Sequence, residues 1–364
     1  MSFVQLNKKR IALMQPSFAE HDAMSDYLKI WNEILKKAGY TTQIFTTFFP
    51  KNLSHIIKPG SQFRDKDFDL VIYFHGIGDK LVDRIKEMDT PLLLYYQNIT
   101  PAEFYREYNW DIYELLVEGR VQLKDLAVST TLAVGASEYN VEELKETNYK
   151  KYDLIPVFFD QQRYENMKED KRTKEFLQKD GVTNITFLGR FAPNKAQTNL
   201  VKAFYLYKKY YNKNARLNLV GRASEQKYFL EVRDLINKFE LAESVNIPGV
   251  VSDAQMRSYY ENSDIFVSLS EHEGFFVPVL ECNYFKTPIV AYKAAAVPYT
   301  LKDAGLLLDT NKPEICAEAI NEVLTNKELR DQMIENGNEN YKRFEQKIHE
   351  PRILEIVAEL LNTK

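Results

Sequence analysis

The stretch SEHEGFFVPVLECNYFKTPIVAY, Ser270 to Tyr292, sets two carboxylates, Glu273 and Glu281, around a Gly-Phe-Phe turn. The run DIFVSLS before it reads as a strand, and Pro278 suits the first turn of a helix. Backbone N–H groups left over at such a helix start, near Gly274, Phe275, Phe276 and Val277, make a site for an anion. Glu281 falls about one turn further on. Helical side chains lean toward the N-terminus, so its carboxylate reaches back to that site. A carboxylate beside a bound diphosphate would be repelled, but it makes chemical sense as an acceptor for ribose hydroxyls. Glu273, on the loop before the helix, can serve a second sugar in the same way. Two cations complete the set. The loop GRFAPNK, Gly189 to Lys195, follows the strand-like run NITFL and puts Arg190 and Lys195 just past its end. Arginine forks onto a phosphate, and lysine acts as a mobile point charge. Gly189 lets the backbone turn or approach a ligand, and Gly249 in IPGVV does so beside a flat ring. Each feature alone passes for a solvated loop or a helix-start acid. Together they describe a nucleotide-sugar pocket, with the diphosphate on N–H groups, Arg190 and Lys195 and a carboxylate at each end.

These residues need strand ends to stand on, and the chain supplies them twice. RIALMQ, TTQIFTTF, FDLVIYF, PLLLYYQ, TTLAVGAS and KYDLIPVFF read as strands of a first half. DYLKIWNEILKKAGY repeats Leu28, Trp31, Ile34 and Leu35 at helical spacing. The apolar runs are continuous, as in parallel strands buried on both faces, and intervening helices imply right-handed crossovers. A charged stretch, Arg163 to Asp180, reads as a linker with a surface helix. NITFLGRF, ARLNLVGR, ESVNIPGVV, SDIFVSLS, TPIVAY and AGLLLD then repeat the alternation without a sequence repeat. The expected fold class is α/β, two facing Rossmann-like doubly wound domains with a cleft between them. The expected boundaries are 1–160 for the N-terminal, acceptor-side domain, 161–180 for the linker and 181–345 for the nucleotide-sugar domain. A C-terminal helix, 346–364, is expected to return to the first domain. Ligands of such sheets bind at strand C-terminal ends.

Composition narrows the field further. At 364 residues the chain has room for roughly two domains. With 45% apolar and 27% charged residues it reads as an ordinary soluble globular chain with a large core. A net charge of −4 does not favour a nucleic-acid partner. Cys282 and Cys316 are too few for a disulfide framework or metal cluster, in keeping with a reducing cytosol. The apolar run Ile11 to Met14 is too short for a signal-peptide core, and no segment reaches a membrane span of about 20 residues. A cytoplasmic location is expected, with peripheral contact at the inner membrane face left open.

SEHEGFFVPVLE resembles the E-x7-E motif of retaining glycosyltransferases of family 4, which have the GT-B fold. FLGRFAPNK is similar to that family's phosphate-binding strand and loop, and TPIVAYKAAAVPYTLKDAGLLL to its next strand and loop. In the first half, HDAMSDYLKIWNEILKKAGYTTQIF, YYQNITPAEFY and AVGASEYNVEELKE resemble one branch of the family. The resemblance covers nearly the whole chain. It implies that Arg190 and Lys195 bind the donor diphosphate and stabilise the leaving group, and that Glu281 holds the ribose. It implies that Glu273 and the backbone of Gly274, Phe275 and Phe276 meet the transferred sugar and phosphates, with Val250 beside the base. It further implies transfer of a hexose from a GDP- or UDP-sugar to a glycan or glycolipid hydroxyl, with retention of configuration and without metal or other cofactor. Three positions depart from the pattern. Gln97 stands where the branch has His, Phe276 replaces a smaller residue of the common EGFG form, and Tyr299 stands in the place of a Glu.

His75 at a strand end, His272 in the motif loop and Asp22 in the first loop are further candidates for sugar or acceptor contact, as is His21. For each histidine, packing or solvation competes with a ligand role. Asp65-x-Asp67 reads as a solvated turn rather than a metal site. The aromatic, basic run KAFYLYKKYYNK reads as a helix with buried rings and solvated lysines. Two other classes stay open, a nucleotide-sugar epimerase and a non-catalytic homologue that partners an active transferase. The Arg/Lys loop with E-x7-E disfavours the first, and Gln97 keeps the second in view.

Overall fold

The computed structural model describes residues 9–19, 22–159 and 161–362. Two compact units emerge. The first takes the residues up to 102, 111–157 and those from 347 onward; the second takes 103–110 and 158–346.

The first unit is built on seven parallel strands in the order β3-β2-β1-β4-β5-β6-β7. They are β1 (Arg10–Ser17), β2 (Thr41–Phe48), β3 (Ile57–Pro59), β4 (Leu70–His75), β5 (Leu92–Tyr96), β6 (Leu132–Gly135) and β7 (Tyr152–Leu154). Helices α1 (Ala23–Lys37), α2 (Leu81–Lys86), α3 (Trp110–Leu126) and α4 (Glu138–Glu146) make the crossovers. β4 and β5 are buried at every position, as their unbroken apolar runs predict. Leu28, Trp31, Ile34 and Leu35 of α1 all face the core. The Trp31 ring meets Phe74 edge-on at 5.7 Å and Tyr95 at 5.4 Å. β7 is shorter than the run KYDLIPVFF predicts, because Pro156 has no N–H to continue the ladder. Gly78 and Gly119 meet backbone to backbone. A Cβ on Gly78 would lie 2.6 Å from the Leu115 carbonyl, which accepts the Gly78 N–H at 2.9 Å.

The second unit opens with α5 (Gln161–Asn166) and α6 (Lys171–Leu177) and holds six parallel strands in the order β10-β9-β8-β11-β12-β13. These are β8 (Thr183–Leu188), β9 (Ala215–Val220), β10 (Val245–Gly249), β11 (Ile265–Ser268), β12 (Ile289–Tyr292) and β13 (Leu306–Leu308). Their helices are α7 (Gln197–Tyr210), α8 (Gln226–Lys238), α9 (Asp253–Glu261), α10 (Pro278–Phe285), α11 (Val297–Leu301), α12 (Pro313–Thr325) and α13 (Lys327–Lys342). In α7, Ala203, Phe204 and Tyr207 are buried, whereas Lys208 and Lys209 close its last turn. The final helix, α14 (Gln346–Asn362), belongs to the first unit from Lys347 on. Both sheets thus have the doubly wound topology expected. Among the described residues no helix is long and apolar enough to cross a membrane.

Candidate functional site

The residues singled out in the second half converge at the C-terminal ends of β8 and β11. Beyond β8, Pro193–Lys195 forms one turn of 3₁₀ helix, and Ala196 takes a left-handed φ of 49° before α7 begins. This turn is pinned to the loop after β11. The Glu271 N–H donates to the Asn194 carbonyl at 2.8 Å, and Asn194 Nδ2 donates to the His272 carbonyl at 3.1 Å. The two loops therefore present Lys195 and Glu273 to each other. Lys195 Nζ lies 2.7 and 2.6 Å from the two Glu273 carboxylate oxygens. Their side chains are only 18% and 10% exposed. A pair so far out of water costs desolvation, and removing one member strands the other.

Arg190 is exposed and makes no ion pair among the described residues. Its neighbour Gly189 is positioned by a close approach from the end of β9. A Cβ at Gly221, whose φ is +149°, would lie 2.0 Å from the Gly189 carbonyl oxygen. Gly221 N–H in turn donates to the Gly249 carbonyl at 3.0 Å, so the ends of β8, β9 and β10 are fastened together. Val250, just past Gly249, is 54% exposed.

The turn that leads into α10 is held from behind. Ala296 N–H donates to the Glu273 carbonyl at 3.1 Å, and Thr300 Oγ1 donates to the Phe275 carbonyl. Phe275 and Phe276 are both buried, and Phe276 adopts a left-handed φ of 75°. Such a backbone is strained for a bulky side chain. Val277 caps the helix and Pro278 opens it. The amides of Phe275, Phe276 and Val277 find no acceptor among the described residues. They are polar donors at the positive end of a helix.

Glu281 is 7% exposed, one turn into α10. Its two carboxylate oxygens accept the hydroxyls of Tyr164 and Tyr260, each at 2.5 Å. Burial, and then the Glu281 charge, pushes the Tyr260 hydroxyl far above its ordinary pKa, so it stays protonated and donates. Tyr164 comes from α5, where Phe159 stacks on it at 4.3 Å. Both tyrosines lie outside the motifs that the sequence displays, and nothing in GRFAPNK singles out Asn194. Their partners lie 117, 21 and 78 residues away, and no local pattern marks such pairs.

The candidates of the first half behave differently. His75 has no exposed surface, and its Nε2 pairs with the Gly119 carbonyl at 3.0 Å. Burial pushes its pKa down to about 4, which keeps the ring neutral. The ring is fully enclosed, and its Nδ1 meets no hydrogen-bond partner among the described residues. Asp22 caps α1 and accepts the amide and hydroxyl of Ser25, both at 3.0 Å. That cap accounts for its presence. Gln97 donates its N–H to the His75 carbonyl at 3.0 Å, and its buried Oε1 meets no donor among the described residues. His272 is 5% exposed, so only an edge of it could meet a ligand. His21 and Glu20 lie outside the described residues. Asp65 and Asp67 sit in one turn of 3₁₀ helix, where Asp65 accepts the Asp89 amide at 3.1 Å. Among the described residues no group of three or more His, Cys, Asp or Glu side chains could hold a metal ion.

Residues 168–340 match the family model of the glycosyl transferases group 1. An uncharacterized glycosyltransferase of Methanocaldococcus jannaschii is 26% identical over 207 residues, 54% of this chain and 56% of that protein. The capsular polysaccharide biosynthesis glycosyltransferase CapM of Staphylococcus aureus is 23% identical over 213 residues, 57% of this chain and 52% of that protein. The chain thus spans about half the length of these curated relatives. Among solved structures, HepE of Anabaena in complex with UDP-glucose superposes with a TM-score of 0.77 at 17% identity, covering 96% of this chain and 99% of that one. The chain has the GT-B fold, and its residues 168–340 match the family model of the glycosyl transferases group 1.

Proposed function

We propose that the chain is a retaining glycosyltransferase that moves a hexose from a GDP- or UDP-sugar to a hydroxyl of a glycan or glycolipid, in surface polysaccharide or glycoconjugate synthesis. The observation that carries the reading is the grouping of Lys195, Glu273 and exposed Arg190 with three amides at the start of α10 that find no acceptor among the described residues. Breaking a sugar–phosphate bond builds positive charge on the sugar and negative charge on the departing diphosphate. Arg190, Lys195 and the amides of Phe275 to Val277 would stabilise that diphosphate without reorganising, which is how fixed dipoles and charges lower a barrier. The Lys195 ammonium would share itself between Glu273 and a phosphate oxygen, with Glu273 turned toward the transferred sugar. Glu281, oriented by Tyr164 and Tyr260, would accept the ribose hydroxyls. Retention is read as front-face transfer. The acceptor oxygen bonds to the anomeric carbon on the side that the diphosphate leaves, and the acceptor proton passes to the departing diphosphate oxygen. The two glutamates would not act as a glycosidase pair, because one is held by a lysine and the other by two tyrosines.

The relatives support the coarse reading, one by its role in capsular polysaccharide synthesis and one by its complex with UDP-glucose. The work would then lie on the cytoplasmic side of the membrane, without a metal. The test is thermal unfolding of the full chain with UDP, GDP, ADP and their sugar conjugates, with and without EDTA. A nucleotide at a hundred times its dissociation constant adds about 2.7 kcal/mol of stability. An EDTA-insensitive shift with one base identifies the donor class, and no shift with any of them overturns the reading. The second reading, a non-catalytic partner of an active transferase, rests on Gln97 in the branch's His position. It requires nucleotide binding without turnover on any acceptor, and turnover eliminates it.

A further inference from the structure

A cavity of about 420 Å³ opens in the second unit, next to the Lys195–Glu273 pair but facing other residues. Pro193 and Ala196, which flank Lys195 in the chain by two residues and one, line one side, and so does Glu271, two residues before Glu273. The opposite side comes from Glu103–Trp110, a segment that runs from beyond β5 to the first residue of α3 yet packs with the second unit. That segment falls outside residues 168–340, so the family match does not cover this wall. It is anchored firmly. Tyr108 donates its hydroxyl to Glu231 at 2.7 Å, Asn109 Nδ2 donates to Glu225 at 3.0 Å, and Lys227 Nζ donates to the Glu107 carbonyl.

The lining has a definite chemistry. Tyr108 meets Tyr228 edge-on at 5.4 Å, and the Tyr228 hydroxyl accepts the Thr198 amide at 3.3 Å. With their hydroxyls engaged, the two rings are fixed and offer carbon surface. Around them stand Thr198 and Asn199, three carboxylates, Glu103, Glu107 and Glu271, and one guanidinium, Arg106. Arg106 is already paired with Glu103 at 3.0 Å. What remains in the lining is a pair of carboxylates, Glu107 and Glu271, with the Asn199 amide and the Thr198 hydroxyl; the neighbouring ammonium groups are already engaged, Lys202 Nζ with Asn199 Oδ1 at 3.4 Å and Lys227 Nζ with the Glu107 carbonyl. Glu271 is anchored by Asn311 Nδ2 at 2.8 Å. Such a wall repels phosphates, sulfates and uronic acids. It suits a neutral polyol, whose hydroxyls donate to the carboxylates while its C–H face lies on an aromatic ring. The volume lies in the range of small-ligand sites.

We propose that this cavity binds an uncharged glycosyl unit of the acceptor, beside the place where the donor sugar is transferred. The assignment rests on the glycosyltransferase reading above, and the experiment separates the two. The fluorescently labelled full chain is applied to a glycan array carrying neutral, sulfated, phosphorylated and uronic-acid glycans. The nucleotide thermal-shift panel runs in parallel. Variants are Glu271→Gln, Asn199→Ala and Thr198→Trp, the last chosen to fill the cavity. The wild type is expected to retain neutral glycans only. Glu271→Gln and Asn199→Ala should each weaken that binding roughly tenfold, the usual effect of one hydrogen bond lost in a site. Thr198→Trp should abolish it. All three should keep the wild-type nucleotide shift, which also shows that they are folded. Wild-type glycan binding in Thr198→Trp, a preference for anionic glycans, or no binding to any neutral glycan would overturn the proposal. A missing nucleotide shift in the wild type strikes the transferase reading instead, and leaves a cavity blocked by Thr198→Trp to be judged by the array alone.

Discussion

At the strand ends of the first unit, polar residues are drawn inward and many are tied to neighbours, although His75 Nδ1 and Gln97 Oε1 meet no partner among the described residues. His75 sits fully buried on the Gly119 carbonyl. Asn98, at a left-handed φ of 78°, donates to Asn140 and Glu143 at 2.8 and 2.6 Å, and Arg120 grips Glu143 at 2.8 Å. At the strand ends of the second unit, the same topology leaves capacity unused. Arg190 is exposed, three amides at α10 lack acceptors among the described residues, and a Lys–Glu pair sits just beneath the surface. Two sheets of one architecture thus spend their loops differently. One set of loops stabilises the fold and the other holds groups ready for an anion. The contrast shows why position at a strand end is not evidence of function until the hydrogen bonds of each side chain are followed.

The sharpest way to break this contrast is at Lys195. Lys195→Ala should lower transfer by about 10²–10³-fold, the effect of removing one group that stabilises developing negative charge. It should also destabilise the fold by roughly 3–5 kcal/mol, because Glu273 is left buried and unpaired. The double variant Lys195→Met/Glu273→Gln should recover most of that stability and none of the activity. Urea midpoints and a transfer assay on the same preparations read both. Recovery of activity in the double variant would remove Lys195 from the site.

The first unit makes the complementary prediction, in stability rather than activity. Burial pushes His75 down to about 4 and Asp79 up to about 6. Below pH 6.5 the unfolded chain takes a proton at His75 that the native ring refuses, so this contribution to stability is lost as pH falls toward 4. Asp79 works in the opposite direction. Its native carboxyl, buried strongly enough to outweigh the Thr47 hydroxyl that donates to it at 2.7 Å, binds a proton at a pH where the unfolded one does not, so stability is gained as pH falls from 6 toward 3.8. Each amounts to about 3 kcal/mol, and they oppose each other across the same window. His75→Gln should therefore become more stable relative to wild type as pH falls from 6 to 4, and Asp79→Asn less stable. Chemical denaturation of the three proteins at pH 4, 5, 6 and 7 checks both signs.

Much of this arrangement could be read from the sequence. Continuous apolar runs located the inner strands, and the spacing of Leu28, Trp31, Ile34 and Leu35 placed α1 on the core. The two acids with seven residues between them, a glycine turn and Pro278 marked the helix start. Other parts left no local trace. Helix α3 went unseen because Gly119 and Gln122 stand among its buried residues, which breaks the apolar rhythm that announces a helix. The excursion of Glu103–Trp110 into the second unit depends on partners more than 100 residues away, at Glu225 and Glu231. Lys195 and Glu273 were each recognised, but as contacts for different parts of a ligand. That they hold each other is a fact of loop geometry, fixed by Asn194.

A subtler test concerns the tyrosines on Glu281. Tyr164→Phe and Tyr260→Phe each remove one donor to a buried carboxylate, worth about 1 kcal/mol or somewhat more. Each should raise the nucleotide dissociation constant several-fold and the donor KM in parallel, with a smaller change in kcat. Because both act on one carboxylate, the double variant should depart from the product of the single effects. An unchanged nucleotide affinity in both would mean that Glu281 needs no orientation, or that it does not meet the ribose.

The finest comparison, between two substitutions at one position, is the most specific to this chain, and it lies at Phe276. The ring belongs to the core of the second unit, 6.3 Å from Phe266. Its backbone, at a φ of 75°, takes a conformation that glycine enters freely and other residues enter at a cost. Truncation to alanine should cost about 3–5 kcal/mol, the usual loss for a buried phenylalanine. Truncation to glycine removes one more carbon, and in ordinary backbone it would be worse than alanine. Here the order should invert, with Phe276→Gly more stable than Phe276→Ala by about 1 kcal/mol, because glycine carries no Cβ penalty at positive φ. The same substitution restores the EGFG form of the motif that this sequence resembles. If the site tolerates the strain only because the ring packs so well, Phe276→Gly should keep nucleotide binding while Phe276→Ala loses part of it. Denaturation midpoints and nucleotide shifts of the two variants decide the matter, and an alanine variant equal to or more stable than the glycine one would show that the turn is not strained.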